Sequence, residues 1–462
     1  MDESVENMKA GPAIDLASLP CIRHMASAFA VLFFFLSGTL ANNNDAFALE
    51  EGGQAVGLHH DKESNGRAKA IHSRIFTIDS HVDIPANFAT QVVNPANDGI
   101  AQVDFPKMEE GGMDFVFFAV AIGQRPRTVS NYESAYAETL NKIRAIWRMQ
   151  DLHSARIAIA TSPGQALALH KAGKFVAGIG IENGFAIGKD ARKLSDVRAR
   201  GVSYITLVHL GHNDVADSAN PIKTLGDKDY EHAGLSDFGR TVVAEMNRVG
   251  LIIDVSHASK KAMLDIVNAS NTPIMASHSG AHALVDSDRN LDDEQLVALK
   301  NNGGVVQVIG YSPYIRANSD EKNEEMNQAA RKAGLESHMD WVNATNEQYI
   351  AYGELLEEID QRYPRASVAE LVDHIDYVVK LIGIDHVGIG SDFYAGGGAA
   401  IGGLLNWMDA TEAPNITEEL LRRGYTEDDI AKIWGRNLLR VWNEVLDYSE
   451  QHGIDEQLYR RD

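Results

Sequence analysis

The 462-residue chain contains a single cysteine, Cys21. One thiol cannot make a disulfide framework, a Cys-x-x-Cys pair or a thiolate metal site, and Cys21 precedes the first apolar run, a poor place for a nucleophile. Positive charge is also scarce: 42 Lys plus Arg stand against 65 Asp plus Glu, a formal net charge of −23. That balance disfavours nonspecific nucleic-acid binding and attraction to an anionic membrane surface. It leaves a small-molecule site open, because one local arginine can dominate a pocket. No Gly-x-Gly-x-x-Gly follows the first strand pattern and no Gly-x4-Gly-Lys-Ser/Thr occurs anywhere, so nucleotide-binding folds lose support. No repeat at a 20–50-residue period points to a solenoid. Long apolar runs are rare as well. The run at 25–41, MASAFAVLFFFLSGTLA, has about 17 residues where a membrane span needs ~20.

Arg23 and His24 precede that run, and small residues occur at its end, 39–41, and again at 46–48. This is the pattern of a cleavable secretory leader; an uncleaved anchor is the alternative. Residues 1–48 are therefore expected to be a signal peptide that sends the protein to the periplasm or outside, with no membrane span after cleavage. Residues 49–70, rich in Asn, Gly, Glu and Ala, read as a flexible join, and residues 71–462 as one domain.

Eight short apolar runs follow: 77–84, 113–123, 175–182, 204–210, 251–258, 273–280, 305–311 and 386–393. Each is bounded by turn formers and apolar almost throughout, as strands of a parallel sheet covered by helices must be. Amphipathic helical stretches lie between them, several closed by glycine at 250, 303 and 383. The alternation predicts an α/β fold, a (β/α)8 TIM barrel, with a doubly wound open sheet as the competitor. Residues 312–366 are long and charged and read as a helical insertion after the seventh strand, a lid or an oligomer contact. Helices after residue 416 close the chain.

The chemistry collects at the strand ends. The first strand ends with His81 and Asp83, the third with Glu182, the fourth with His209, the fifth with His257 and the sixth with His278; Tyr311 and Asp392 end the last two. Taken singly, each has a structural explanation: a hydrogen-bonded histidine, a capping acid, a core tyrosine. Together, in a barrel, they share one rim, where barrel active sites sit. Imidazoles and carboxylates crowded there repel or desolvate badly without cations. Divalent metal removes that difficulty, and His with carboxylate is a ligand set zinc accepts. At least five candidate ligands favour two ions over one. Glu182 is placed to bridge them, since no lysine ends the third to sixth strands to be carbamylated for that task. Glycines at 178, 180, 388 and 390 leave room for ions and substrate, or serve ordinary barrel packing. Asp79 falls two residues before His81 and by strand parity shares its face, either orienting His81 or satisfying backbone donors.

Several blocks, in order, resemble the membrane (renal) dipeptidases, zinc metallopeptidases on a metal-dependent amidohydrolase barrel. They are DSHVDIP, VDFPKMEEGGMDFVFFAV, GIENGFAIG, GVSYITLVHLGHNDVADS, GRTVVAEMNRVGLIIDVSHAS, PIMASHSGAHAL, GIDHVGIGSDF and IAKIWGRNLLRVW. The resemblance spans about residues 72–447. It implies two Zn2+ per chain, one held by His81 and Asp83, the other by His257 and His278, with Glu182 between. It implies dipeptide substrates with a free C-terminal carboxylate, including those with a D-residue there, attacked by a hydroxide between the ions. Asp392 would move the proton, His209 would stabilise the oxyanion, Arg289 would pair with the substrate carboxylate and Tyr311 would line the pocket. Val82 stands where the family commonly has Asn, but by strand parity it points away from the metal. The departures that bear on substrate range are Tyr394 where the family often has Asp, His212 where Asn-like residues are usual, and a 312–366 insertion longer than typical. A lactonase or N-acyl-amino-acid hydrolase on the same barrel is the competing enzyme, and a non-catalytic relative predicts eroded ligands, which are not seen.

Overall fold

A computed structural model describes residues 62–396 and 402–452; the expected leader and residues 49–61 lie outside the described residues. Ten strands form one sheet: β1 (Ile78–Asp83), β2 (Phe115–Ala121), β3 (Ile157–Ile159), β4 (Phe175–Glu182), β5 (Val202–Thr206), β6 (Ile252–Asp254), β7 (Met275–Ala276), β8 (Val305–Ile309), β9 (Val387–Gly390) and β10 (Phe393–Tyr394). The order is β10-β1-β2-β4-β5-β6-β7-β8-β9. β9 and β10 are one stretch of chain broken at Ser391–Asp392, and β10 pairs with β1 in parallel. The ring therefore closes as eight staves, the eight runs read from the sequence. β3 was not expected. It pairs with the first half of β4, from Ile157↔Phe175 to Ile159↔Ala177, where β5 has not yet joined.

Parallel strands buried on both faces need apolar residues on both. The inner faces contribute Ile78, Phe115, Phe117, Val176, Tyr204, Ile252, Met275 and Val305 to one cluster, completed by Leu438, Val441, Trp442 and Val445 of the helix Asn437–His452. That last helix plugs the N-terminal mouth. The outer faces pack against helices such as Val129–Leu152, Asp237–Val249 and Val368–Ile382. Thr128, Ser236 and Ser367 begin these helices by accepting a backbone N–H in the first turn. Gly250 and Gly383, which end two of them, adopt φ of 74° and 96°.

The structure decides two readings that the sequence left open. The register of β1 against β2 slips between Asp79 and Val82, so a bulge breaks the alternation there. Asp79 pairs with Val116, an outer-face residue. Its carboxylate accepts the backbone N–H groups of His81 (3.2 Å) and Ser391 (2.9 Å). It satisfies backbone donors and does not touch the His81 ring. The strand glycines make room for neighbouring side chains. A Cβ on Gly178 would lie 2.2 Å from the Phe117 ring, on Gly180 2.0 Å from the Tyr204 ring, and on Gly388 1.9 Å from the Gln307 amide. These glycines fit the layer beneath the site together, which is the packing alternative.

The insertion is helical, with Asp320–Lys332, His338–Val342 and Asn346–Arg362 around a small core of its own that includes Ala329, Leu335, Tyr352 and Leu356. It docks on the C-terminal rim: His338 Nε2 lies 2.8 Å from the Gln124 carbonyl.

The segment read as a flexible join is helical in its last part, Lys62–His72. Ala68 and Ile71 are buried and His72 is 2% exposed, so a side-chain anchor outweighs the polar composition. Trp434 Nε1 donates to Thr417 Oγ1 (2.8 Å), the Thr417 hydroxyl donates to His72 Nδ1 (2.7 Å), and His72 Nε2 donates to the Gly111 carbonyl (3.0 Å). The imidazole is thus held neutral, and burial lowers its pKa from 6.5 to about 4. The folded value is the lower one. The stabilisation is therefore complete above the unfolded pKa, is lost as pH falls from there through the folded pKa, and amounts to about 3 kcal/mol. Urea unfolding of the wild type and His72→Phe at about pH 7 and about pH 4.5 checks this: the gap between them should shrink at the lower pH.

Candidate active site

All the ionisable strand-end groups meet at the C-terminal mouth. Glu182 ends β4, level with Ala121 of β2 and Thr206 of β5. Its Oε1 lies 3.0 Å from His257 Nε2, 3.4 Å from His278 Nε2 and 3.7 Å from His81 Nε2. Its Oε2 lies 3.9 Å from His209 Nε2, and His81 Nε2 lies 3.6 Å from Asp83 Oδ1. Three overlapping sets have ligand atoms within 4.8 Å of one another: His81, Glu182 and His278; Glu182, His209 and His257; His81, Asp83 and Asp392.

The backbone is bent to bring them there. Asn183, His257 and Asp392 have φ of 88°, 67° and 60°, a region non-glycine residues rarely occupy and one that concentrates at functional sites. Asn183, next to Glu182, locks its turn by donating to the Ile122 carbonyl (3.0 Å) and accepting from Phe185 N (3.0 Å).

The residues fit divalent metal. His81 Nε2, Asp83 Oδ1 and His257 Nδ1 are buried with no hydrogen-bond partner, and the Nε2 atoms of His257 and His278 face each other at 2.9 Å. The Nε2 atoms of His81, His257 and His278 crowd around Glu182 Oε1, and acceptors gathered in this way are what a cation relieves. The charge balance agrees. Burial opposes protonation of His81, yet Glu182, Asp83 and Asp392 outweigh it and raise its pKa to about 10. Burial, with Arg289 nearby, pushes His257 and His278 well below their usual range. Burial, reinforced by Asp83 and Glu182, lifts Asp392 to about 7.

Four supporting residues escaped the sequence reading. Tyr204 Oη donates to the Ser80 carbonyl (3.2 Å) and lies 2.9 Å from His81 Nδ1. With its one proton committed to Ser80, it accepts from Nδ1–H, which leaves the Nε2 lone pair facing Glu182. Ser277 Oγ does the same for His278: it donates to Asp254 Oδ2 (2.6 Å) and lies 2.7 Å from His278 Nδ1. Asp254 also accepts from Ser256 N (3.0 Å) and Ser277 N (2.8 Å). The signal available in the sequence was a polar residue inside an apolar strand. Tyr314 is the fourth.

Arg289 is 2% exposed. Its Nη1 donates to Ser279 Oγ (2.7 Å) and its Nη2 to the His278 carbonyl (2.7 Å), Nε has no partner, and the guanidinium lies 5.6 Å from the Tyr314 ring centroid. Among the described residues no carboxylate pairs with it. Tyr311 packs against Tyr314, with centroids 5.3 Å apart. His212 lies outside the cluster: its Nδ1 accepts from Ser218 N (3.0 Å) and its Nε2 donates to the Lys228 carbonyl (2.9 Å), which makes it a clip for its own loop.

A closed α/β barrel with histidines and carboxylates gathered at its C-terminal mouth defines a metallohydrolase of the TIM-barrel type. The model of the membrane dipeptidase family (peptidase family M19) matches residues 65–455, and the chain belongs to that family of metallopeptidases. It is a metallo-dipeptidase. It is 30% identical over 365 residues to dipeptidase tcpJ of Claviceps purpurea, covering 78% of this chain and 73% of that one. Among solved structures, the probable dipeptidase PvdM of Pseudomonas aeruginosa is 33% identical with a TM-score of 0.74, over 84% of this chain and 100% of that one. A Rhodobacter sphaeroides metallopeptidase, liganded with a phosphinate mimic of L-Ala-D-Ala, shares the fold at 22% identity and TM-score 0.59, over 80% of this chain and 99% of that one.

Proposed function

We propose that the protein is a dizinc dipeptidase for dipeptides with a free C-terminal carboxylate, D-residues at that end included. The observation that carries this is Arg289: a buried guanidinium with no carboxylate partner among the described residues, beside His278. A buried cation left unpaired is costly, and a substrate carboxylate would compensate it through charge-assisted hydrogen bonds. His81 and Asp83 would hold one zinc, His257 and His278 the other, and Glu182 would lie between them. Bound metal supplies an acidified water and polarises the scissile carbonyl. Asp392 takes the proton of the attacking water and hands it to the leaving amine. His209 stabilises the oxygen on which charge develops, and Tyr311 lines the carboxylate side of the pocket. The run at 25–41 is proposed to direct secretion.

Turnover of L-Ala-D-Ala and L-Ala-L-Ala should vanish with full metal removal and return with zinc; turnover that survives full removal contradicts the mechanism. Tyr204→Phe and Ser277→Ala, which remove the groups behind two ligand histidines, should each weaken metal retention by about 10–100-fold in chelator competition, with unfolding temperature as the control.

A further inference from the structure

We infer that the site prefers dipeptides whose N-terminal residue carries an aromatic or large apolar side chain, with Tyr394 and Tyr349 as the specificity-determining residues. The inference rests on the dipeptidase reading above. Arg289, against the end of β7, fixes the C-terminal end of the substrate there. In a ring of eight staves the one facing β7 is β2, with β1 beside it. With the peptide bond over Glu182, the N-terminal residue reaches toward that side.

That side is walled by the insertion. Tyr394 pairs in register with Asp83, and residues so paired on parallel strands project from the same face of the sheet. The Tyr394 ring therefore stands on the mouth side, next to Asp83. Tyr349 of the insertion packs on it, with centroids 5.5 Å apart at 38°, and the Tyr394 hydroxyl donates to Asn346 Oδ1 (3.4 Å). Trp341 backs Tyr349 at 6.1 Å. On β2's end the contact is as close: a Cβ on Gly123 would lie 2.7 Å from Val342 Cγ2. Ala121 is level with Glu182, so Gly123 and the insertion stand just above the reacting level. Both tyrosines are partly buried. Their hydroxyl ends are directed by the insertion, Tyr394 to Asn346 and Tyr349 to the Trp341 carbonyl, which leaves the pair of rings as an apolar platform for stacking.

The test uses the zinc-loaded full-length enzyme and the series Gly-Ala, Ala-Ala, Leu-Ala and Phe-Ala, all L. For the wild type, kcat/KM should rise along the series, with Phe-Ala over Ala-Ala roughly tenfold or more. Tyr394→Ala and Tyr349→Ala should each bring that ratio toward one, while Tyr394→Phe keeps it. Hydrolysis of Ala-Ala by the wild type without preference for Phe-Ala overturns this inference alone and needs no variant to fold. A preference that survives both alanine variants also overturns it. No hydrolysis of any member overturns the dipeptidase reading and this inference with it.

Discussion

Asp392→Asn should lower kcat on L-Ala-D-Ala by roughly 10²–10⁴, with KM and metal content nearly unchanged. The substitution isolates proton transfer. Asparagine matches aspartate in shape and tolerates the left-handed conformation that Asp392 holds at φ 60°. Its backbone N–H can keep donating to the His81 carbonyl at 3.1 Å. What it cannot do is accept a proton and pass it on. Steady-state kinetics with elemental analysis of the same sample provides the check. A fall in kcat that tracks loss of metal would make Asp392 a ligand, and a variant as active as the wild type would remove it from the reaction.

Arg289→Met should cut kcat/KM on dipeptides by roughly 10²-fold, the worth of hydrogen bonds between charged groups, mostly through KM. The same change should leave thermal stability equal or higher. The guanidinium is buried, its Nε is unpartnered, and among the described residues it makes two neutral hydrogen bonds but no direct ion pair, so a substrate carboxylate would be its first directly paired anion. Replacing buried charge by an apolar side chain of similar volume is often neutral or stabilising. C-terminal amides complete the cycle: the wild type should lose a similar factor on them and the variant little more. Equal losses on acids and amides would contradict the anchor, and a Tm several degrees lower would make Arg289 structural.

The eight staves were legible because each is a short apolar run between turn formers, and one period decides their character. β3 was not, because three residues, Ile157–Ile159, carry too little pattern to stand out. The strand-end residues were legible because a barrel sends every C-terminal strand end to one rim. Parity failed at Asp79, since a bulge is a relation between two strands and leaves no mark in one. Tyr204, Ser277 and Asp254 were missed for a similar reason: what they do depends on which stave lies beside which. The glycines at 178 and 180 were open to two readings, room for ions or barrel packing, and only the fold shows that aromatic rings fill the space beside them.

The helix Asn437–His452 supplies Trp442 and its neighbours to the barrel's inner cluster. The interior therefore cannot be finished until nearly the whole chain has been synthesised. At ribosomal speed, roughly 20–70 s separate β1 from Val445, during which the apolar inner faces of the staves, all eight of them by residue 394, lack their plug. Such a nascent chain is a natural client for chaperones, and stop codons or proteolytic nicks ahead of residue 437 should yield aggregates in place of a shortened enzyme.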